Sequence, residues 1–430
     1  MKQDILKNCT TPVWFVVMIL VSISCNKALP DANPILYPPE NNSTISIGEL
    51  LSTDTTYSIF KSAAAKYKAI AKTDLIAQLS DTNKVFTALI PNNAAFRASG
   101  FPNWDAVNAF LPITSLAAIL QYSIIPGEQF TSEDVATATA SAPNMQLPTL
   151  LNIGVLPSPA PPINVQLSTF LSKNSTFFYD NTIPIVRPDI KMRNGVIHLL
   201  GGIVAPPGML LKDAIDTATN LTYFRAAIAR ADNGKTGTAS LGYLLGYSAM
   251  NMTVLVPNDN AFKTLLFGLI YDTLLKQQIP QPIALNIANG YITLPPDALF
   301  SDPDLSGVLT PGLIRGALAY HFLASPNPVS GAYEPNIRVF SNNFSSTPTF
   351  YKTLVNSDTS LLARYHPGIK AEATFAGPFV TGLQFTGLGS FPPDPNPTHI
   401  YTGAPAHAIS EDNHAVNGVY YVIDKVLLPR

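Results

Sequence analysis

The side chains best suited to chemistry in this sequence are its six histidines. Three come late in the chain, at His399, His407 and His414, and imidazole nitrogens are common zinc ligands. Their spacings of eight and seven residues put them on no common helical face, so we predict no metal site. A fourth, His198, stands alone in an apolar, strand-like stretch, where a hydrogen-bonded core histidine is expected more often than a catalyst.

The sequence also lacks the local motifs that usually mark an active site. It contains no Gly-x-Ser-x-Gly elbow, phosphate-binding Walker loop, paired-cysteine metal motif or His-Glu-x-x-His helix. We therefore predict that the protein is not an enzyme, with no catalytic residue and no cofactor.

Composition narrows the class of partner. The chain has 430 residues, 47% of them hydrophobic, which is enough for two or three domains with substantial cores. Only 13% of residues are charged and the formal net charge is -2, so no basic face is available to neutralise phosphates. Nucleic acid is therefore not an expected partner.

The N-terminal segment predicts export. A short basic region precedes the apolar run Val13–Ile23, which is too short to span a bilayer comfortably. The run ends at Cys25 in a sequence that resembles a bacterial lipoprotein processing site. The resemblance implies a signal peptide at 1–24, a lipid on Cys25, a flexible tether at 25–44 and attachment to the cell envelope, at the outer membrane of a Gram-negative bacterium. An ordinary secretory signal and a membrane stub are the alternatives.

The remainder of the chain contains an internal repeat. Four segments recur in the same order, and the first two pairs are offset by 164 and 166 residues. The pairs are 57–67 with 221–231, 87–96 with 253–262, 116–127 with 314–325, and 193–207 with 416–430. The repeat predicts two domains, 45–207 and 208–430. The second is longer, and we expect its extra residues to form excursions at about 275–311 and 330–405.

The second pair predicts a strand that ends where a helix begins. Pro91 and Pro257 have no amide hydrogen to continue a ladder. The two residues after each proline, Asn92 with Asn93 and Asn258 with Asp259, are expected to cap the new helix. Phe96 and Phe262 follow in its first turn and are expected in the core.

The fourth pair carries Asn194-Gly195 and Asn417-Gly418. Asn-Gly is typical of a two-residue hairpin turn in which both central residues have positive φ. Alternating apolar residues after each pair predict a strand.

Together these motifs resemble the fasciclin-like adhesion domain, in two tandem copies. The resemblance implies an α+β fold in which a wedge of two β-sheets packs against several helices, and an extracellular role in adhesion. Residues linked to receptor binding in animal members have matches here at Asp189, Ile190, Tyr320, His321 and Asp412. Packing and capping are the alternative roles for these five.

Two functions follow as hypotheses. In the first, the protein is an adhesion lipoprotein that binds extracellular matrix, a cell-surface protein or a polysaccharide through loops of the second domain. In the second, it is an accessory polysaccharide-binding lipoprotein of a glycan uptake system, in which the aromatic residues Tyr333, Phe340, Phe350 and Tyr351 stack on sugars.

Overall fold

The computed structural model of the protein describes residues 44–156, 163–358, 366–387 and 404–429. Cys25, the predicted signal peptide, nearly all of the tether and His399 lie outside these ranges. In the first half of the chain, domain 1, the helices are α1 (Ile47–Thr53), α2 (Ser58–Ala71), α3 (Leu75–Ser80), α4 (Asn93–Ala98), α5 (Trp104–Phe110) and α6 (Ile113–Tyr122). Its strands are β1 (Phe86–Pro91), β2 (Ile124–Pro126), β3 (Met145–Leu156), β4 (Ile163–Lys173), β5 (Phe178–Asp180), β6 (Ile183–Met192) and β7 (Gly195–Leu200).

In the second half, domain 2, the order of elements repeats. The helices are α7 (Leu211–Thr217), α8 (Thr222–Asp232), α9 (Leu241–Gly246), α10 (Asp259–Lys276), α11 (Gln281–Tyr291), α12 (Pro296–Ser301) and α13 (Pro311–Ala319). The strands are β8 (Met252–Pro257), β9 (Ser325–Pro326), β10 (Tyr333–Glu334), β11 (Thr349–Tyr351), β12 (Ile369–Ala376), β13 (Phe379–Gly387), β14 (Ala406–Ala415) and β15 (Gly418–Ile423).

Strand pairing shows the repeat directly. Domain 1 has the order β2-β1-β7-β6-β5-β4-β3, and domain 2 has the order β11-β12-β13-β14-β15-β8. In each domain the first long strand pairs in parallel with the last: Phe86 lies opposite Gly195 and Met252 opposite Gly418. The fold-class prediction, α+β with two tandem wedge-and-helix bodies, is confirmed by this architecture.

One strand in each domain makes the wedge. The first residues of β6, Ile183 and Pro184, pair with β5, whereas the later ones pair with β7. In domain 2, β14 likewise pairs with β13 through Ala406 and His407 and with β15 through its later residues. A strand that changes partner along its length lets the sheet fold over on itself.

The two faces of the parallel pair separate two cores in each domain. In β8, Met252, Val254 and Val256 pack against the helices, while Leu255 packs inside the wedge. β1 alternates in the same way, with Ala88 towards the helices and Leu89 inside the wedge. Parallel strands buried on both faces explain why these segments read as nearly continuous apolar runs.

The asparagine of each Asn-Gly pair is a buried cross-link between sheet and helices. The Asn194 side-chain oxygen accepts from the backbone N of Ile47, at 2.9 Å, and its nitrogen donates to the carbonyls of Leu79 and Asp81. Asn417 does the same in domain 2: it accepts from Leu211 N, at 2.8 Å, and donates to the carbonyls of Leu245 and Tyr247.

This arrangement corrects the predicted turn. Residues 193 and 194 form the loop between β6 and β7, Asn194 has no positive φ, and Gly195 (φ 143°) is already the first residue of the strand. The φ of Gly195 lies in the region that favours glycine, whereas that of Gly418 does not. Glycine is required at both positions because a Cβ at Gly195 would overlap the carbonyl oxygen of Phe86, and one at Gly418 that of Met252.

The two polar residues after each proline cap different helices. Asn92 and Asn258 accept from Ala95 N and Ala261 N and so cap α4 and α10. The expectation that Asn93 caps the same helix is wrong, because its side-chain oxygen accepts from Ile59 N, at 3.0 Å, in the first turn of α2. Asp259 likewise accepts from Tyr223 N in α8, at 2.9 Å. The proline-asparagine unit therefore ties the strand end to two helices at once.

The extra residues of domain 2 are mostly regular structure. The segment 275–311 is helical, because α10 continues to Lys276 where its counterpart α4 stops at Ala98, and α11 and α12 follow. Within 330–405, strands β11, β12 and β13 supply three of the six strands of the main domain 2 sheet, and β10 pairs with β9 in a separate two-stranded sheet. The described parts of both segments are therefore built largely of helices and strands on the domain 2 scaffold.

We predict that Asn194→Ala lowers the free energy of unfolding by on the order of 3 kcal/mol, because it leaves three buried backbone groups without partners. Asn92→Ala, which removes one cap on a more accessible helix end, should cost only about 1 kcal/mol. Urea denaturation of both variants checks this. Equal losses would contradict the cross-link.

Candidate functional site

The residues predicted from the adhesion motif lie where β6 bulges next to β7. Asp189 has positive φ (59°), and its side chain accepts from Ser132 N, at 2.8 Å, and from the Ser132 hydroxyl. Its own backbone N donates to His198 Nδ1, at 3.2 Å. Ile190, the next residue, is half-buried against the helical core. This corner of domain 1 is thus held together by the carboxylate.

His198 is a fully buried core histidine. Its Nε2 lies 2.8 Å from the carbonyl of Phe130, and its ring packs edge-on to Phe178. Since Nδ1 accepts and Nε2 donates, the imidazole is neutral, and burial lowers its pKa. Its burial and its hydrogen bonds agree with the interpretation from sequence as a hydrogen-bonded core histidine.

Domain 2 builds the same corner with different residues. Asp412 has positive φ (51°) and accepts from Ser341 N, at 2.7 Å, and from the Ser341 hydroxyl. Tyr421 replaces the histidine, and its hydroxyl donates to the carbonyl of Val339, at 2.8 Å. Burial raises the pKa of Asp412. The geometry is conserved between the copies although the donor changes.

Tyr320 and His321 are both fully buried. The Tyr320 hydroxyl donates to the carbonyl of Gly368. His321 Nδ1 donates to the carbonyl of Ala317, at 2.8 Å, and Nε2 accepts from Leu427 N, at 3.0 Å, so the ring links the end of α13 to the C-terminal segment. Burial lowers the pKa of His321 to about 4.

The five residues matched to the adhesion motif therefore all make internal contacts. Four hydrogen-bond within their own domain, and Ile190 packs on a core. These contacts favour packing and capping roles over direct recognition of a partner.

The two domains meet at a buried polar junction that the sequence did not indicate. Arg338 of domain 2 is 3% exposed and stacks on Phe170 of domain 1, 4.5 Å from the ring centroid. Its guanidinium lies 2.8 Å from His414 Nε2 and donates to the carbonyl of Val416, at 2.9 Å. Burial lowers the pKa of Arg338 to about 9. Phe170 itself packs into the wedge core of domain 2.

Amide side chains complete the junction. Asn144 of domain 1 donates to the Arg338 carbonyl, at 2.8 Å, and to Asn343 Oδ1, at 3.0 Å. Asn342 of domain 2 donates to the Ser172 hydroxyl, at 3.1 Å. An isolated arginine followed by two asparagines in a proline-rich segment gives no sequence signal for such a contact, because it depends on the other domain.

Two cavities open in the helical layer of domain 2. The larger, about 670 Å³, has mixed walls that include Arg315, Tyr333, Glu334 and Asp358. The smaller, about 440 Å³, is lined by apolar side chains and glycines from α10, α12, α13 and the C-terminal segment.

The other candidate residues are dispersed. His407 is exposed at the start of β14 and His414 is half-buried against Arg338, and the described residues contain no group of three histidine, cysteine or acidic side chains placed to hold a metal. Of the four aromatics proposed to stack on sugars, Phe340 and Tyr351 fill the wedge core, Tyr333 is half-buried and Phe350 is 57% exposed.

Comparison with known proteins finds a family match in the first half of the chain. Residues 62–206 match the family model described as "Fasciclin domain". Domain 1 is a fasciclin domain. Domain 2 lies outside that match, and the repeated cross-link, caps and parallel pair show that it repeats the body of domain 1. Fasciclin domains are typically non-enzymatic binding modules, which supports a binding role for this chain.

A search of curated proteins found no significant match. Among solved structures the chain is similar to a FAS1 domain pair from the insect cell adhesion molecule Fasciclin I, at 12% identity and a TM-score of 0.28. The likeness covers 87% of this chain and 95% of the insect one. Within the described ranges, no helix is both long and apolar enough to cross a bilayer.

We predict that His321 makes domain 2 less stable in acid. Its folded pKa is about 4, below the ordinary value of 6.5, so stability is fully present above pH 6.5 and is lost as pH falls towards 4. A shift of this size corresponds to about 3 kcal/mol. His321→Gln should be less stable than wild type at about pH 7.5, with the difference narrowing towards about pH 4 in urea denaturation. A gap that stays constant would show that the histidine is not held neutral.

Proposed function

We propose that the protein is a non-enzymatic adhesion protein of the cell envelope that binds an extracellular matrix or cell-surface protein through domain 2. The fasciclin match in domain 1 and the repeated body in domain 2 support a binding role. Because the motif residues are internal in both domains, we assign the contact to a different surface.

We assign the contact with the partner to the outer face of the domain 2 sheet, which is defined by Phe350, Lys370, Glu372, Gln384 and His407. Register places Phe350 opposite Lys370, Glu372 opposite Gln384, and Gln384 opposite His407, so all five share one face. The alternate residues of β12, Ile369, Ala371 and Ala373, are buried in the wedge.

The chemistry of this face suits a protein partner. Phe350 is 57% exposed beside charged and amide groups. A mixture of aromatic and polar side chains is typical of the surfaces of non-obligate complexes. Burial of Phe340 and Tyr351 removes half of the aromatic set proposed to bind sugars, which favours a protein over a polysaccharide.

We predict that Phe350→Ser reduces attachment of cells or matrix to a surface coated with the full-length protein by about tenfold, because one exposed aromatic at an interface centre carries a large share of affinity. Phe110→Ser is the matched control, since Phe110 is 77% exposed on α5 of domain 1. Equal attachment by both variants would rule out the outer face of the domain 2 sheet as the contact.

We also propose that the protein is held at the envelope, in the outer membrane of a Gram-negative bacterium, by a lipid on Cys25. The sequence pattern before Cys25 supports lipidation of this residue. Two or more acyl chains on it would anchor the protein durably in the membrane. Cys25→Ser should release the protein from washed membranes and remove the acyl mass seen in wild type. An unmodified wild-type mass would contradict the anchor.

A further inference from the structure

The smaller cavity of domain 2 is a product of the longer helix α10. Its counterpart α4 ends at Ala98, two residues after Phe96, whereas α10 continues past Phe262 to Lys276. The continuation brings Leu265 and Leu269 over α13. The described walls are Phe262, Leu265, Leu266, Leu269, Phe300, Leu309, Gly312, Leu313, Ile314, Gly316, Ala317, Leu318, Val426, Leu428 and Pro429.

The lining is chemically uniform. None of the described lining residues is charged or carries a polar side chain, so water inside would find few partners. An apolar cavity of about 150 Å³ is enough to hold benzene, and this one has about 440 Å³, within the range of ligand sites. A cavity of this size and polarity suits a hydrocarbon chain.

Two glycines of α13 keep the cavity open. A Cβ added at Gly312 or Gly316 would meet no atom within 4 Å, although both glycines lie inside the helix Pro311–Ala319. Glycine in a helix interior is costly relative to alanine. The domain therefore does not require glycine at these two positions to avoid a clash, and the space beside them is left empty.

Arg230 lies behind one residue of the cavity wall. Its Nε donates to the carbonyl of Leu309, at 3.0 Å, and Leu309 is one of the residues that line the cavity. Among the described residues, no ion pair involves Arg230. Its charge is placed to complement an anionic group at the end of an apolar chain.

We propose that this cavity binds the acyl chain of a fatty carboxylate, with the carboxylate near Arg230. The inference concerns a small-molecule site on the helical layer and does not depend on the adhesion surface, which lies on the sheet.

The test is binding of dodecanoate to the full-length protein, measured by isothermal titration calorimetry. Gly316→Leu should fill the cavity and weaken binding by at least about tenfold. Because leucine favours helix over glycine, this variant should keep its melting temperature, so lost binding will not reflect unfolding. Gly290→Leu is the matched control: Gly290 lies in α11, a Cβ there also meets no atom within 4 Å, and it does not line the cavity.

Three further variants locate the site, since Gly316 also borders the larger cavity. Leu269→Gln, which changes the apolar cavity alone, should weaken binding, whereas Tyr333→Ala, which changes the larger cavity alone, should not. Arg230→Gln should weaken dodecanoate but not dodecanol. Absence of binding to wild type, equal loss in Gly290→Leu, loss confined to Tyr333→Ala, or an Arg230→Gln effect equal for both ligands would overturn the proposal.

Discussion

Each domain depends on one buried carboxamide at the start of its last strand. A helix begins with backbone amides that have no partner inside the helix, and a buried chain segment ends with unpaired carbonyls. Asn194 and Asn417 each satisfy one amide and two carbonyls, from elements more than 100 residues away. An asparagine side chain carries both an acceptor and two donors on one rigid group, which neither aspartate nor serine can provide.

The glycine after that asparagine follows from the same constraint. To bring the carboxamide under the helices, the last strand must lie against the first so closely that a Cβ would overlap the carbonyl of Phe86 or Met252. The parallel pairing of the two strands then sets the two faces of the domain, helices on one side and wedge on the other. Cross-link, glycine and sheet topology form one connected arrangement.

Comparison of the two copies separates what the fold requires from what it tolerates. The carbonyls of Phe130 and Val339 occupy matching places, and a histidine donates to one and a tyrosine to the other. The carboxylates at 189 and 412 are retained with the same positive φ and a serine partner. In contrast, α10 and the outer strands of domain 2 differ from their counterparts, and these variable parts supply the cavity and the surface to which we assign binding.

The sequence by itself determined the repeat and the capping by Asn92 and Asn258, because these depend on local patterns: apolar periodicity, a proline that ends a strand and an amide at a helix start. The α+β class followed from the resemblance of its motifs to the fasciclin-like domain. The sequence did not determine that Asn194 reaches across the domain, that Asn93 and Asp259 cap distant helices, or that Arg338 lies on Phe170. Those contacts join segments far apart in the chain, and only the folded backbone brings them within hydrogen-bonding distance. For the same reason the cavity could not be predicted from the sequence, since its walls come from four separate elements that only the fold brings together.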